Sequence, residues 1–165
     1  MDPKALALPS VVVGPPDISR LRREIETLND YMRQAELRKS GEETTKLPRT
    51  SRMLEELASL NKLNLLQEAD RTRVDAFLDD LMKHAPVVHI SFAADPSSAF
   101  TAKVVVWLRQ NIHPLMLMRI GLQPTIAAGC VVRTPNHYYD FSLRRHFAAK
   151  RPVLIDKLES LNNVG

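Results

Sequence analysis

Few residues in this chain have the spacing that a catalytic or metal-binding centre requires. Its five histidines are scattered without the short intervals typical of metal ligands: His84, His89, His113, His137 and His146. The paired carboxylates are sequence neighbours on hydrophilic stretches, so their side chains point away from each other: Glu42-Glu43, Glu55-Glu56 and Asp79-Asp80. The five glycines form no phosphate-binding loop. We therefore expect a binding or structural protein with no catalytic residue, no cofactor and no metal site.

Cys130 is the one cysteine of the chain, so an internal disulfide cannot form. Its neighbours, Gly129 and Val131, offer no base that would activate the thiol as a nucleophile. A small buried strand residue is the simpler interpretation. A chain without disulfides fits a reducing compartment, and we expect a cytoplasmic location.

The composition is that of a globular protein, with 44% apolar and 25% charged residues in 165. The longest uninterrupted apolar run, residues 104–108, is far shorter than the roughly 20 residues of a membrane-spanning helix. Residues 1–85 hold 14 Lys/Arg and 15 Asp/Glu, whereas residues 86–165 hold 9 and 4. The second half is therefore basic, and an acidic protein, an anionic lipid or a nucleic acid would be attracted to it.

The first half has the periodicity of helices. Proline-rich residues 1–16 predict an extended tail or linker, whose short apolar segment Val11–Val13 is able to dock locally. Asp17 is then placed to cap a helix. An apolar stripe then recurs at intervals of three and four: Ile18, Leu21, Ile25, Leu28 and Met32. Further helical patterns follow, so residues 17–85 are predicted to form a domain of three or four helices. The stripe either packs against the rest of the chain or binds a partner helix in a groove.

Residues 86–165 change pattern and predict a small second domain. A strand with alternating apolar residues at 88–92 precedes a helix at 98–111, and two strands follow at 115–122 and 129–134. A short returning edge leads to a final amphipathic helix capped by Ser142, with a kink or break near Arg151 because Pro152 follows. The predicted fold class is α+β, a helical segment followed by a βαββα domain with a mixed sheet.

The stretch 123–143, with the sequence QPTIAAGCVVRTPNHYYDFSL, carries the most informative motif. A small-residue pair, Ala128-Gly129, is followed by a strand, a turn and the run Tyr139, Asp140, Phe141, Ser142, Leu143 and Arg144. This arrangement resembles the C-terminal signature of the delta subunit of F-type ATP synthases, the relative of the oligomycin sensitivity conferral protein. The likeness covers residues 86–161, about half of the chain, and the helical domain is shorter than the family's six-helix bundle.

The resemblance implies a non-catalytic peripheral-stalk subunit, or stator, of a proton-translocating ATP synthase. It implies the alpha and b-type subunits as partners, a peripheral position on the cytoplasmic face of the cell membrane, and no small-molecule substrate. The motif residues Gly129, Asp140, Ser142 and Arg144 have sensible structural roles, in close backbone approach, helix capping and charge pairing. Direct contact with a partner is the alternative for them. A basic nucleic-acid-binding or regulatory module remains the alternative function, through Arg144, Arg145, Lys150 and Arg151.

Overall fold

A computed structural model describes residues 6–37 and 49–162, without the side chains of residues 36, 37, 154, 158 and 160–162. The fold mixes helices with a four-stranded sheet, as expected of the α+β class. The helices are α1 (Pro15–Leu37), α2 (Arg52–Leu60), α3 (Glu68–His84), α4 (Ser98–Asn111) and α5 (Leu143–Asn162), with a 3-10 turn at Pro124–Ile126. The strands are β1 (Val87–Phe92), β2 (Leu117–Leu122), β3 (Cys130–Arg133) and β4 (Tyr138–Asp140).

The chain divides into two compact units. The first contains Met1–Val87 and Ala99–Leu117, and the second contains Val88–Ser98 and Met118–Gly165. The predicted ranges 17–85 and 86–165 differ from this division mainly in α4, which belongs with the first unit. Arg109 of α4 gives one physical reason, because it donates hydrogen bonds to main-chain carbonyls near the beginning of the chain.

The core of the first unit is built on the apolar stripe of α1. Ile18, Leu21 and Ile25 are fully buried, Leu28 is buried, and Met32 is half-buried. The first three belong to a cluster that also contains apolar residues of α2 and α3: Leu54, Leu57, Val74, Leu78 and Leu81. The stripe therefore packs inside its own chain, and the prediction that it offers a groove to a partner helix is corrected. Burial of these faces is what holds the three helices together.

The predicted tail is docked over a longer stretch than the expected Val11–Val13 segment, because Leu6 and Leu8 are buried as well. Residues 6–14, here called the docked segment, are not helical, yet Leu6, Leu8 and Val12 are buried in the same core cluster. Residues 1–5 of that prediction lie outside the described part of the chain. The predicted tail is also too long, since α1 already begins at Pro15.

The start of α1 differs from the expected cap at Asp17. Gly14 precedes the helix, and the Asp17 carboxylate accepts hydrogen bonds from the main-chain N–H groups of Val13 and Gly14, at 2.8 and 3.0 Å. Prolines are tolerated at the first helical positions because the N–H groups there have no intrahelical partner. Asp17 therefore stabilises this end of the helix from inside its first turn.

The sheet has the strand order β2-β1-β3-β4 and is mixed. β1 runs antiparallel to β3, and β3 antiparallel to β4. β1 and β2 run parallel, since the N–H groups of Leu117 and Gln123 donate to the carbonyls of Pro86 and Phe92 with the same offset. A parallel pair needs a crossover, and α4 lies between these two strands in the chain.

The last helix departs from its prediction in one respect. α5 runs through Pro152 as a single helix, without the break expected near Arg151. The second unit therefore ends in a helix of 20 residues that follows directly on β4. The position of α5 after β4 determines which side chains the second unit exposes.

Candidate partner-binding site

The two parts of the sequence motif are hydrogen-bonded to each other in the second unit. The N–H of Phe141 donates to the carbonyl of Cys130 at 2.9 Å, and the N–H of Leu143 donates to the carbonyl of Ala128 at 2.8 Å. These two bonds flank Gly129 on one side and Ser142 on the other. The loop before β3 thereby holds the junction between β4 and α5 in place.

Gly129 is required at this junction for two reasons. Its φ is +91°, a conformation that side-chain-bearing residues rarely adopt. A Cβ atom built on it would lie 2.3 Å from the carbonyl oxygen of Phe141, which is main chain and cannot rotate away. Close approach of the two backbones therefore depends on the absence of a side chain, as predicted from the motif.

Asp140 and Ser142 shape the entry into α5. The N–H of Ser142 donates to Oδ1 of Asp140 at 2.8 Å, and the N–H of Arg145 donates to the Ser142 hydroxyl at 3.4 Å, as in an N-cap. Hydrogen bonds from the Ser142 side chain and backbone, and the charges of Arg145 and Arg144, hold the pKa of Asp140 below its ordinary value. Arg144 thus acts on a carboxylate through its charge.

Aromatic side chains follow β4 on the outside of this junction. The rings of Tyr139 and Phe141 are stacked, with centroids 6.2 Å apart, and the His137 ring lies 5.8 Å from Tyr139. Tyr138 has its ring beneath the guanidinium of Arg133, 5.6 Å away. Phe141 is 64% exposed, so a row of aromatic rings faces solvent.

Helix α5 exposes apolar side chains beside this row. Every one of its described side chains is exposed, including Phe147, which is 66% exposed. The described side chains of α5 therefore gain little stability from packing and leave apolar groups open to solvent. The α5/β4 surface is defined here as exposed apolar residues of β4, of α5 and of the short link between them: Tyr139, Phe141, Leu143, Phe147 and Ile155.

The charge and shape of this surface indicate what it can bind. The sequence of α5 contains five Lys/Arg and two Asp/Glu. A cavity of about 550 Å³ opens beside its first turns. It is lined from both sides of the junction by residues that include Ala128, Phe141, Leu143 and Arg145, together with the acidic Asp140. An apolar partner segment with acidic neighbours would complement both features.

The motif prediction and the partner-binding prediction have different outcomes. Gly129, Tyr139, Asp140, Ser142, Leu143 and Arg144 lie together at the β4–α5 junction. The stripe from Ile18 to Leu28 lies in the core of the first unit instead. Phe147 and Ile155 were missed as surface residues. Four of the nine aromatic residues of the chain fall between positions 138 and 147, and this concentration was the available signal.

The thiol of Cys130 and the possible metal ligands are the remaining groups to consider for chemistry. Burial raises the pKa of the Cys130 thiol, the opposite of the change that activates a nucleophilic cysteine. In residues 6–37 and 49–162, no three His, Cys, Asp or Glu side chains are grouped so that they could hold a metal ion.

None of the helices in the part of the chain that the structure describes has the length and apolar character needed to cross a bilayer. Comparison of the sequence with protein-family models and with curated proteins finds no match.

Proposed function

We propose that this chain is a peripheral-stalk subunit of a proton-translocating F-type ATP synthase, similar to the delta subunits that its C-terminal motif resembles. In this proposal it catalyses nothing itself. It fastens the catalytic head to the stalk helices and resists rotation of the head. It sits peripherally at the cytoplasmic face of the membrane, held there by the other subunits.

One observation carries the proposal: residues of the resemblance motif form one hydrogen-bonded junction, and exposed apolar side chains lie directly beside it. The backbone hydrogen bonds around Gly129 and Ser142 fix where α5 leaves the sheet. The exposed apolar residues of the α5/β4 surface start directly at this junction. A motif that positions a docking helix is what a load-bearing adaptor needs.

The proposal also assigns a partner subunit to each of the two parts of the chain. The second unit binds a b-type stalk subunit through the α5/β4 surface. The helical part binds the alpha subunit of the head through a surface other than the buried stripe. Because the α5 sequence carries an excess of positive charge, the stalk segment it binds should carry acidic side chains beside its apolar ones.

Affinity purification of the full chain from its own cells, followed by mass-spectrometric identification of what is bound, tests the proposal. We expect alpha and b-type subunits in the eluate. A double variant, Phe147→Ser with Ile155→Ser, should lose the b-type subunit. A matched variant of exposed apolar residues in the first unit, Leu60→Ser with Leu66→Ser, should keep it. Recovery of the free chain with no ATP synthase subunit would refute the proposal.

The alternative of a nucleic-acid-binding or regulatory module is favoured by one observation. Arg144, Arg145, Lys150 and Arg151 are all exposed near the beginning of α5. A groove tracking a phosphate backbone requires such a cluster. Binding of an RNA or DNA oligonucleotide at about 50 mM salt, and its steep loss at higher salt, would support this alternative over the stator.

A further inference from the structure

The docked segment, residues 6–14, is held by side chains that are distant from it in sequence. Asn61, at the end of α2, accepts a hydrogen bond from the N–H of Ala7 at 2.7 Å and donates one to the carbonyl of Ala7 at 3.0 Å. The side-chain amide of Asn61 thus bonds both the N–H and the carbonyl of Ala7, the two groups that a neighbouring β-strand would bond. Asn61 also donates to the carbonyl of Leu57, which fixes its orientation.

Arg109 binds the next part of the segment through carbonyl oxygens. One terminal nitrogen of the guanidinium donates to the carbonyls of Leu8 and Pro9, at 3.4 and 2.8 Å, and the other donates to the carbonyl of Val12. Nε donates to the carbonyl of Met116 at 3.2 Å, so the guanidinium is also held by a residue outside the docked segment. Burial lowers the pKa of Arg109 to about 10, which leaves it charged at neutral pH. The segment thus offers hydrogen-bond acceptors to a half-buried cation.

The side chains of the segment fill apolar space in the first unit. Leu6 and Leu8 are buried two positions apart, and Val12 is fully buried after a turn in which its N–H donates to the carbonyl of Pro9. The contacts therefore combine apolar side chains with main-chain carbonyls. Those are the two features by which proteins bind a separate non-helical peptide.

From this geometry we propose that the first unit is a binding site for a non-helical peptide with spaced apolar residues, and that its occupant in the free chain is the docked segment. Asn61 and Arg109, here called the clamp, form hydrogen bonds with main-chain groups of the peptide. The apolar space behind them selects side chains like those of Leu6, Leu8 and Val12. The segment exchanges as a unit while the helices stay folded. This inference does not depend on the proposed stator function.

The test supplies the segment as a separate peptide. A full-length variant with Leu6→Ser and Leu8→Ser weakens the chain's own segment and leaves the clamp intact. We expect a dye-labelled peptide of residues 6–16 to bind this variant saturably. Binding to the unchanged chain should be much weaker, because its own segment occupies the site. A peptide carrying the same two serines should not bind.

A variant of the clamp distinguishes binding at this site from non-specific binding of the peptide. Adding Arg109→Leu should weaken peptide binding by roughly ten-fold or more, because charge-assisted hydrogen bonds are lost. Adding Arg119→Leu, at an exposed arginine of β2, should leave binding unchanged. Trp107, the one tryptophan, lines the same shallow cavity as Ser10 of the segment, so its emission should shift when the peptide binds. A folded variant that binds no peptide up to about 1 mM overturns the proposal.

Hydrogen exchange of the unchanged chain provides a second measurement, which decides the matter if the double serine variant fails to fold. We expect the Ala7 amide, bonded to Asn61, to exchange through an opening that leaves the amides of α3 protected. Exchange of Ala7 only together with those α3 amides, with the same denaturant dependence, would show that the segment is an inseparable part of the core and overturn the proposal.

Discussion

Gly129 is the residue on which the β4–α5 junction depends most directly. Its positive φ and the nearby Phe141 carbonyl both exclude a side chain. Ser142 and Asp140 contribute by satisfying main-chain groups at the beginning of α5. At this scale Gly129, Asp140 and Ser142 of the motif are explained by backbone geometry and by hydrogen bonds to main-chain groups.

Replacing Gly129 with alanine should destabilise the protein. The new methyl group must displace main chain, and the residue must also hold an unfavourable φ, so the free energy of unfolding should fall by about 2 kcal/mol or more. Urea denaturation measures this. Gly121→Ala is the matched control, because its Cβ would meet the movable Ser91 hydroxyl at 3.0 Å. An equal effect of both substitutions would contradict the account of the junction.

The carboxyl group of Asp140 should titrate below the ordinary aspartate pKa of 3.8. Because its pKa is lowered by folding, the stabilisation it provides is complete above the ordinary value and is lost as pH falls through the folded value. An NMR titration of this carboxyl should show a higher midpoint in Ser142→Ala than in Ser142→Thr, which keeps the hydroxyl. An unchanged midpoint in the alanine variant would show that the Ser142 hydroxyl does not cause the shift.

At the scale of elements, α1 and α5 use similar apolar spacing for opposite purposes. The stripe of α1 is covered by α2 and α3, whereas the described side chains of α5 remain exposed. One helix therefore stabilises its own unit, and the other is the helix that binds a partner in the proposed function. Stability measurements can separate the two roles.

Ile25→Ala should lower the free energy of unfolding of the isolated chain by about 2–5 kcal/mol, because it leaves a cavity in the core. Phe147→Ser should change the free energy of unfolding by no more than about 0.5 kcal/mol, because the exposed ring makes few contacts within its own chain. Thermal and urea unfolding of both variants check this. A large loss in Phe147→Ser would mean that α5 packs within the chain and is not an open surface.

At the scale of the whole molecule, the charge distribution distinguishes the two candidate functions. The second half of the chain has a net charge of +5, from 9 Lys/Arg and 4 Asp/Glu, whereas the first half has −1, from 14 and 15. The basic residues of α5 lie among exposed apolar ones. A protein partner would use both kinds of side chain. A nucleic acid would use mainly the charges.

Raising the salt concentration from about 50 to about 500 mM should therefore weaken capture of a stalk subunit only modestly, since the apolar contacts are not screened. Binding to nucleic acid through four basic residues would instead fall by about three orders of magnitude over that range. Affinity measurements with the purified stalk subunit and with an oligonucleotide make the comparison. Steep salt dependence with the stalk subunit would show that charge, not the α5/β4 surface, governs its binding.

Local features of the fold were predictable from the sequence because they depend on near neighbours. The spacing from Ile18 to Leu28 specified a helix with one apolar face, and Gly129 and Ser142 marked a close approach and a cap. The wrong cap at Asp17 is also local, since a carboxylate can stabilise a helix start from either side of the first turn.

Which apolar surfaces become covered was decided only by the tertiary structure. Burial depends on contacts between residues far apart in the chain, and no pattern within α1 or α5 states whether another helix lies against it. The docked segment shows this most clearly, because its position depends on Asn61 and on Arg109, about one hundred residues away. The sequence by itself determined which faces could pack, and the folded chain determined which of them do, because packing is a property of pairs of surfaces.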